Sequence, residues 1–258
     1  MDLGLKGRTV FVAGASKGMG RAIAEQFGIE GANVALCARG PEKLREAAES
    51  VRSSGADALE LQADLIDADL VLKAVEATIE EFGGIDVLVV NAGGGPPRGR
   101  FEDFNTALWE TSFRLTFMSA VHLVGAALPA LKKSNVPSIV FLSSWGVRQP
   151  IAAHMGSNTM RAAVAGLAKS LTAELAPEIR VNTVLVGSIR TDRQIELAEQ
   201  AGAKSVDEFL AHMIEDIPLN WLGESVEVAR VTAFVGSPAA SYMTGQMVAV
   251  DGGTIRAT

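Results

Sequence analysis

The stretch Arg8-Thr9-Val10-Phe11-Val12-Ala13-Gly14-Ala15-Ser16-Lys17-Gly18-Met19-Gly20 decides how the rest of the chain is read. An apolar, β-prone run ends in three glycines, and a helical pattern, Met19 to Glu30, begins at once. A strand that turns sharply into a helix through glycines lets an anion such as a pyrophosphate approach the backbone closely. The free N–H groups of the helix N-terminus then point at it. The spacing is G-x₃-G-x-G, so the turn reads as a phosphate cradle that differs from the G-x-G-x-x-G fingerprint. Outward from it, short apolar runs alternate with longer helical stretches. Asn33 to Ala38 reads as a strand, and Pro41 to Ser54 as a helix with proline in its first turn. Asp57 to Gln62, Asp67 to Phe82 and Asp86 to Val90 continue as strand, helix and strand. A long helix from about Asn105 to Lys133, in one or two segments, leads to a fifth strand at Ser138 to Leu142. Met155 to Ala176 is a helix ended by Pro177, and Arg180 to Leu185 is a strand. A less regular helical stretch, Thr191 to Glu215, is expected to form a substrate-binding lid; a helix (Ser225 to Gly236) and a strand (Gln246 to Val250) close the chain. Such alternation implies βαβ units and a parallel sheet, and the near-continuous apolar strands suit a sheet covered on both faces. The expected fold class is α/β: one Rossmann-fold domain over residues 1–258, with a doubly wound parallel sheet of about seven strands.

Composition narrows the function classes. The 258 residues carry 23 Lys plus Arg against 30 Asp plus Glu, a net charge of −7, which argues against nucleic-acid and membrane-surface partners. With 48% hydrophobic residues and a mean hydropathy of +0.23, the chain can bury a large core, which excludes disorder. The single cysteine, Cys37, has no partner in the chain, so no disulfide scaffold is expected and the residue reads as core filler. The apolar run closest to a membrane span, Ala120 to Leu131, is broken by His122 and Pro129. The N-terminus lacks the pattern of a signal peptide. A soluble, cytoplasmic protein is expected, and no cluster of His, Cys, Asp or Glu has metal-ligand spacing.

Five motifs in order carry a resemblance to the short-chain dehydrogenase/reductase family. Gly14 to Gly20 resembles that family's TGxxxGIG cradle, with Ala13 where Thr is usual. Asp64-Leu65 after the third strand is similar to its adenine-contacting pair, and Asn91-Ala92-Gly93 after the fourth to its NAG. Gly187-Ser188-Ile189-Arg190-Thr191 resembles the PG-x-x-x-T loop that contacts the nicotinamide amide, with Val186 replacing Pro. Ser241 to Gln246, followed by Asp251-Gly252-Gly253, resembles the family's ending. The match covers about the whole chain, and the 3-oxoacyl-carrier-protein reductase-like members are the most similar. The resemblance implies a nicotinamide dinucleotide held by Gly14, Ser16, Lys17, Gly18, Met19, Gly20, Asp64, Leu65, Asn91, Ala92, Gly93, Gly187, Ile189 and Thr191. It also implies a homotetramer built through the helices near residues 105–133 and 155–176 and through the C-terminal strand.

An NAD enzyme of this architecture needs a carboxylate at the end of the second strand for the ribose 2′-hydroxyl. Here that position is Ala38, and Arg39 follows, with Lys17 in the cradle as a second cation. A guanidinium suits a 2′-phosphate, which it grips with bidentate, charge-assisted bonds, so NADP(H) is favoured over NAD(H).

The family's chemistry uses Asn, Ser, Tyr and Lys. Carried onto this chain residue by residue, only the serine survives, at Ser144. The Tyr place falls on Ser157, the Lys place on Arg161 and the Asn place on Thr116, while the only tyrosine, Tyr242, lies in the tail. Ser157 and Arg161 are four apart and share a helix face. Arg161 can supply a positive charge and ribose contacts but cannot shuttle protons. His154, three residues before Ser157, is the nearby group that titrates near neutrality and is a candidate general acid; His122 and His212 read as structural. Arg98 and Arg100 follow the fourth strand, Arg148 the fifth, and Arg190 and Arg193 the sixth, at the end of the sheet where ligands bind. Arg98 and Arg148 are candidate contacts for an anionic substrate: a carboxylate, a phosphate or the acyl thioester of a phosphorylated carrier. The expected activity is NADP(H)-dependent hydride transfer between nicotinamide and a carbonyl or secondary alcohol, with Ser144 and Ser157 holding the oxygen. Two alternatives stay open: an NADP(H)-binding sensor or partner protein without turnover, and a non-redox enzyme of the same family.

Overall fold

A computed structural model describes residues 1–92, 95–191 and 205–256. The described residues form nine strands: β1 (Thr9–Ala13), β2 (Asn33–Ala38), β3 (Ala58–Gln62), β4 (Val87–Val90), β5 (Ser138–Ser144), β6 (Arg180–Val186), β7 (Ile189–Arg190), β8 (Gly223–Glu224) and β9 (Met247–Val250). Seven of them form one sheet in the order β3-β2-β1-β4-β5-β6-β9, all pairs parallel, while β7 and β8 pair separately. The helices are α1 (Gly18–Ile29), α2 (Pro41–Ser53), α3 (Ala68–Phe82), α4 (Thr106–Ser112), α5 (Ser119–Leu131), α6 (Met155–Leu175), α7 (Val206–Ile214) and α8 (Ser225–Gly236). Most elements lie within one or two residues of the boundaries expected from sequence, the range over which helix and strand ends are ambiguous.

The double winding follows from strand periodicity. Successive side chains of β1 point to opposite faces. Val10 and Val12 enter a core with Ile23 and Phe27 of α1, Leu44 of α2 and Val228 of α8. Phe11 and Ala13 enter a second core with Val71 of α3, Leu123 of α5 and Val164 of α6. Cys37 is buried in that second core, as a core filler should be, and desolvation pushes its thiol up to about 12. From β1 the chain winds outward to β2 and β3 on one side and to β4, β5, β6 and β9 on the other. The order reverses between β1 and β4, and beyond the carboxyl ends of those strands lies the crevice where such sheets bind ligands.

Local signals set the helix ends. Asp67 caps α3 by accepting hydrogen bonds from the Asp69 and Leu70 amides, and Gly83 ends it at φ +82. Arg180 anchors the far end of the chain: its guanidinium donates to the carbonyls of Val235, Gly236, Ser237, Ala240 and Met243 at 2.9–3.2 Å. The last carbonyls of α8 are thereby satisfied, and the segment leading into β9 is held against β6.

The long helix expected over residues 105–133 is divided. A π-helical turn, Phe113–Met118, separates α4 from α5, and the Ser119 hydroxyl donates to the Arg114 carbonyl at 3.1 Å. Such a turn holds one extra residue, which re-aims the side chains around it. The same region also corrects the estimate of apolar run length, because Thr106–Leu131 taken whole is long and apolar enough to cross a membrane. Its apolar residues are spent inside the fold, where Leu123, Val124, Ala127 and Leu131 pack on the sheet. Of the expected lid, Thr191 to Glu215, α7 is described; residues 192–204, including Arg193, lie outside the described residues, as does the side chain of His212.

Candidate active site

The cradle is built to exclude side chains. Gly14 and Gly18 adopt φ of +63 and +55, and a Cβ on Gly20 would stand 2.0 Å from the Gly14 carbonyl oxygen. A Cβ on Gly14 would come within 2.7 Å of the Asn91 carbonyl oxygen. The Asn91 amide also donates to the Gly14 carbonyl at 3.4 Å, so the end of β4 braces the turn after β1. Lys17 occupies the N-cap of α1 in an extended conformation with no side-chain cap, which leaves the first-turn N–H groups facing the crevice together with half-buried Ser16 and Met19. Ala92 is buried beside Asn91; Gly93 lies outside the described residues.

Arg39 is exposed at the end of β2, and its carbonyl accepts a hydrogen bond from the Gln62 amide at 3.1 Å. Asp64 accepts from the Ile66 amide at 3.2 Å, and the Leu65 carbonyl accepts from His122 Nδ1 at 3.1 Å. His122 is thus a structural tie between α5 and the loop after β3, as its mid-helix position suggested.

The loop after β6 closes on the cradle from the other side. Gly187 passes so close to the tail that a Cβ there would lie 2.4 Å from Asp251 Cα, and its amide donates to the Val250 carbonyl at 2.9 Å. Asp251 in turn accepts from the Gly253 and Ile255 amides. Ile189 buries its side chain in the first core while its backbone pairs with Gly223. Thr191 reaches the cradle, its Cγ2 3.9 Å from where a Gly18 Cβ would be.

The catalytic places gather at the ends of β5 and α6. The Ser144 hydroxyl accepts from the Gly146 amide at 3.1 Å and caps the short turn that follows. Arg161 Nε donates to Ser157 Oγ at 3.2 Å, and its Nη1 points to the Leu142 carbonyl at 3.5 Å. Desolvation lowers the Arg161 pKa from its usual value. Thr116, within the π turn, is 2% exposed, its hydroxyl has no hydrogen-bond partner among the described residues, and it shares with Arg161 a gap too small for a water.

His154 Nδ1 donates to the Ala152 carbonyl at 2.8 Å. Burial first, and then the Arg98 charge, hold its pKa below the usual histidine value against the opposing effect of that hydrogen bond. The imidazole is therefore neutral at pH 7, and its titration moves below the value near 6.5 expected from sequence. A backbone bridge between Gly99 and His154 ties the Arg98 loop to the entrance of α6.

The Arg148 guanidinium donates to the Met247 carbonyl of β9 at 3.3 Å. Arg190 faces Glu224 at 3.7 Å. One positioning residue was missed from sequence. The Asn158 side chain brackets Ile151, accepting from its amide at 3.3 Å and donating to its carbonyl at 2.8 Å, which secures the loop between Ser144 and Ser157. An asparagine in the first turns of a helix is the signal that could have found it, since such a side chain favours nearby backbone groups.

The architecture is that of a dinucleotide-binding α/β protein with its site at the β1/β4 switch point. A family model described as enoyl-(acyl carrier protein) reductase matches residues 14–254. The 3-oxoacyl-[acyl-carrier-protein] reductase of Staphylococcus aureus is 33% identical over 250 residues, covering 95% of this chain and 97% of that protein. The L-sorbose reductase of Gluconobacter frateurii, solved with NADPH and L-sorbose, superposes with a TM-score of 0.95 at 31% identity and complete coverage of both chains. A short-chain oxidoreductase of Pseudomonas aeruginosa, solved with NADPH and described as containing an atypical catalytic center, gives a TM-score of 0.90 at 33% identity, covering 97% of this chain and 98% of that one. The chain belongs to the short-chain dehydrogenase/reductase family, a family of oxidoreductase enzymes.

Proposed function

We propose that the protein is an NADP(H)-dependent carbonyl reductase whose catalytic set is Ser144, Ser157 and Arg161. The observation that carries this reading is the pairing of a cradle closed to any Cβ with Ala38 and Arg39 where a ribose-binding carboxylate would stand. The cradle glycines and the α1 N-terminus would hold the pyrophosphate, Arg39 and Lys17 the 2′-phosphate, and Asp64, Leu65 and Asn91 to Gly93 the adenosine side. Gly187 to Thr191 would hold the nicotinamide, with Arg161 at the ribose. When bound, NADPH supplies the hydride. The chain's own residues orient the carbonyl: Ser144 and Ser157 donate to its oxygen, and Arg161 sets the local positive potential. Both serines stay protonated at neutral pH and His154 is neutral there, so the oxygen takes its final proton from water, and from charged His154 only below that residue's lowered pKa.

Three finer points belong to the same reading. A 3-oxoacyl thioester on a phosphorylated carrier is the leading substrate, supported by the family model and the staphylococcal relative, with Arg98 as its anion contact. The protein works in the cytoplasm, in keeping with a free cysteine deep in the core. It assembles as a homotetramer, for which Phe113, 41% exposed at the head of the α4–α5 region, is a candidate contact. Titration of protein fluorescence with NADPH and NADH, followed by NADPH oxidation with simple ketones, 3-oxoacyl thioesters and quinones, tests the reading. Binding without turnover would make the protein an NADP(H) sensor, and no binding would leave a non-redox role.

A further inference from the structure

Ser157 is the third residue of α6, and its hydroxyl accepts the Arg161 Nε–H at 3.2 Å. A hydroxyl that accepts a guanidinium hydrogen keeps its own proton for another acceptor, and among the described residues Ser157 donates to none. Arg161, for its part, faces no carboxylate among the described residues; its other acceptor is the Leu142 carbonyl at 3.5 Å. Beside it pack Val90, Leu142, Val164 and Thr116, whose hydroxyl has no partner among the described residues. Arg161 is half-buried, and with no counter-charge beside it among the described residues its field favours an anion. The first turn of a 21-residue helix adds positive potential at the same point. The adjacent imidazole commits its Nδ1 hydrogen to Ala152.

We propose that Ser157, polarised by Arg161, is an oxyanion-binding group that selects ligands whose oxygen is already ionised or strongly delocalised, of the phenolate and enolate type, over neutral ketones. Arg161 is the positioning residue: it fixes the hydroxyl and lends its charge through it. Two consecutive donors, guanidinium to hydroxyl and hydroxyl to ligand, match an acceptor that needs no proton, and the constellation holds no phenol to supply one. The proposal rests on the reductase reading and changes its substrate class: conjugated carbonyls whose reduced oxygen is a stabilised anion take the place of the 3-oxoacyl thioester, whose reduction at C3 leaves an unstabilised alkoxide.

The test uses the full chain with 4-nitrophenol, whose phenolate absorbs in the visible, and 4-nitroaniline as a neutral ligand of similar shape, with NADPH titrated in parallel. Bound 4-nitrophenol is expected to be more ionised than the free compound and to bind at least about 10-fold more tightly than 4-nitroaniline. Ser157→Ala and Arg161→Gln should each abolish that preference, and Arg161→Lys should restore part of it. Should Arg161→Gln fail to fold, Ser157→Ala, at a half-exposed position, decides alone. No binding of 4-nitrophenol, binding in its neutral form, or a preference that survives Ser157→Ala would each overturn the proposal. NADPH binding without phenolate preference would leave the reductase reading standing and sink this inference; phenolate preference without NADPH binding would do the reverse.

Discussion

The two halves of the crevice are built to opposite standards. At the β1/β4 end, backbone packs on backbone: Gly20 lies against Gly14, Asn91 bridges to Gly14, and a single methyl would collide. At the β5/α6 end side chains carry the fit, and among the described residues the Thr116 hydroxyl has no partner, the Arg161 guanidinium meets no carboxylate and its contact to Leu142 is 3.5 Å long. The first end must fit a ligand part that is the same in every turnover. The second end carries Thr116, Ser157 and Arg161 at the places that the resemblance gives to Asn, Tyr and Lys, beside a retained Ser144. Tight backbone complementarity can be kept while side-chain chemistry is exchanged, because the strands that position both ends are set by the core rather than by the site.

The largest effect that would sharpen this contrast is catalytic. With Ser157 in the place of a phenol, reduction of an unactivated ketone should run about 10²–10⁴-fold below that of a tyrosine-bearing relative, measured as steady-state NADPH oxidation. Fast ketone turnover unaffected by Ser144→Ala would break the contrast. At the cofactor end, Arg39→Ala should weaken NADPH by about 10- to 100-fold and leave NADH nearly unchanged, read by fluorescence titration. A wild-type preference for NADH would refute the assignment. Gly20→Ala should cost about 1–3 kcal/mol in a denaturant melt and impair NADPH binding, because its Cβ meets the Gly14 carbonyl rather than a movable side chain. Thr116→Val, by contrast, should stabilise by about 1 kcal/mol, since it removes a buried hydroxyl with no partner at nearly constant shape. If both substitutions shifted the melt alike, the two ends would not differ as described.

The smallest effect concerns His154. Its folded pKa lies below the unfolded value near 6.5, so between the two the unfolded chain binds more protons. Stability should therefore rise with pH through that window and be lost as pH falls, and His154→Gln should flatten this part of the melting profile. Should His154 serve as the acid, turnover would fall as pH rises through the same lowered pKa.

Much of the frame was legible in the chain because it depends on short-range rules. Period-two apolar strands sort Val10 and Val12 from Phe11 and Ala13, Pro41 and Gly83 mark helix ends, and glycines at 14, 18 and 20 mark a turn that only they can make. The loss of Tyr and Lys from the site was equally plain, since residue identity needs no structure. Only the tertiary structure decided the partnerships. The π turn that carries Thr116, the Asn158 bracket on Ile151, the tether of Arg148 to Met247 and the five carbonyls around Arg180 each depend on contacts between segments or on a local irregularity that no periodicity encodes. A side chain's identity limits which bonds it can make. Which bond it does make depends on what the fold brings within about 3 Å, the reach of a hydrogen bond.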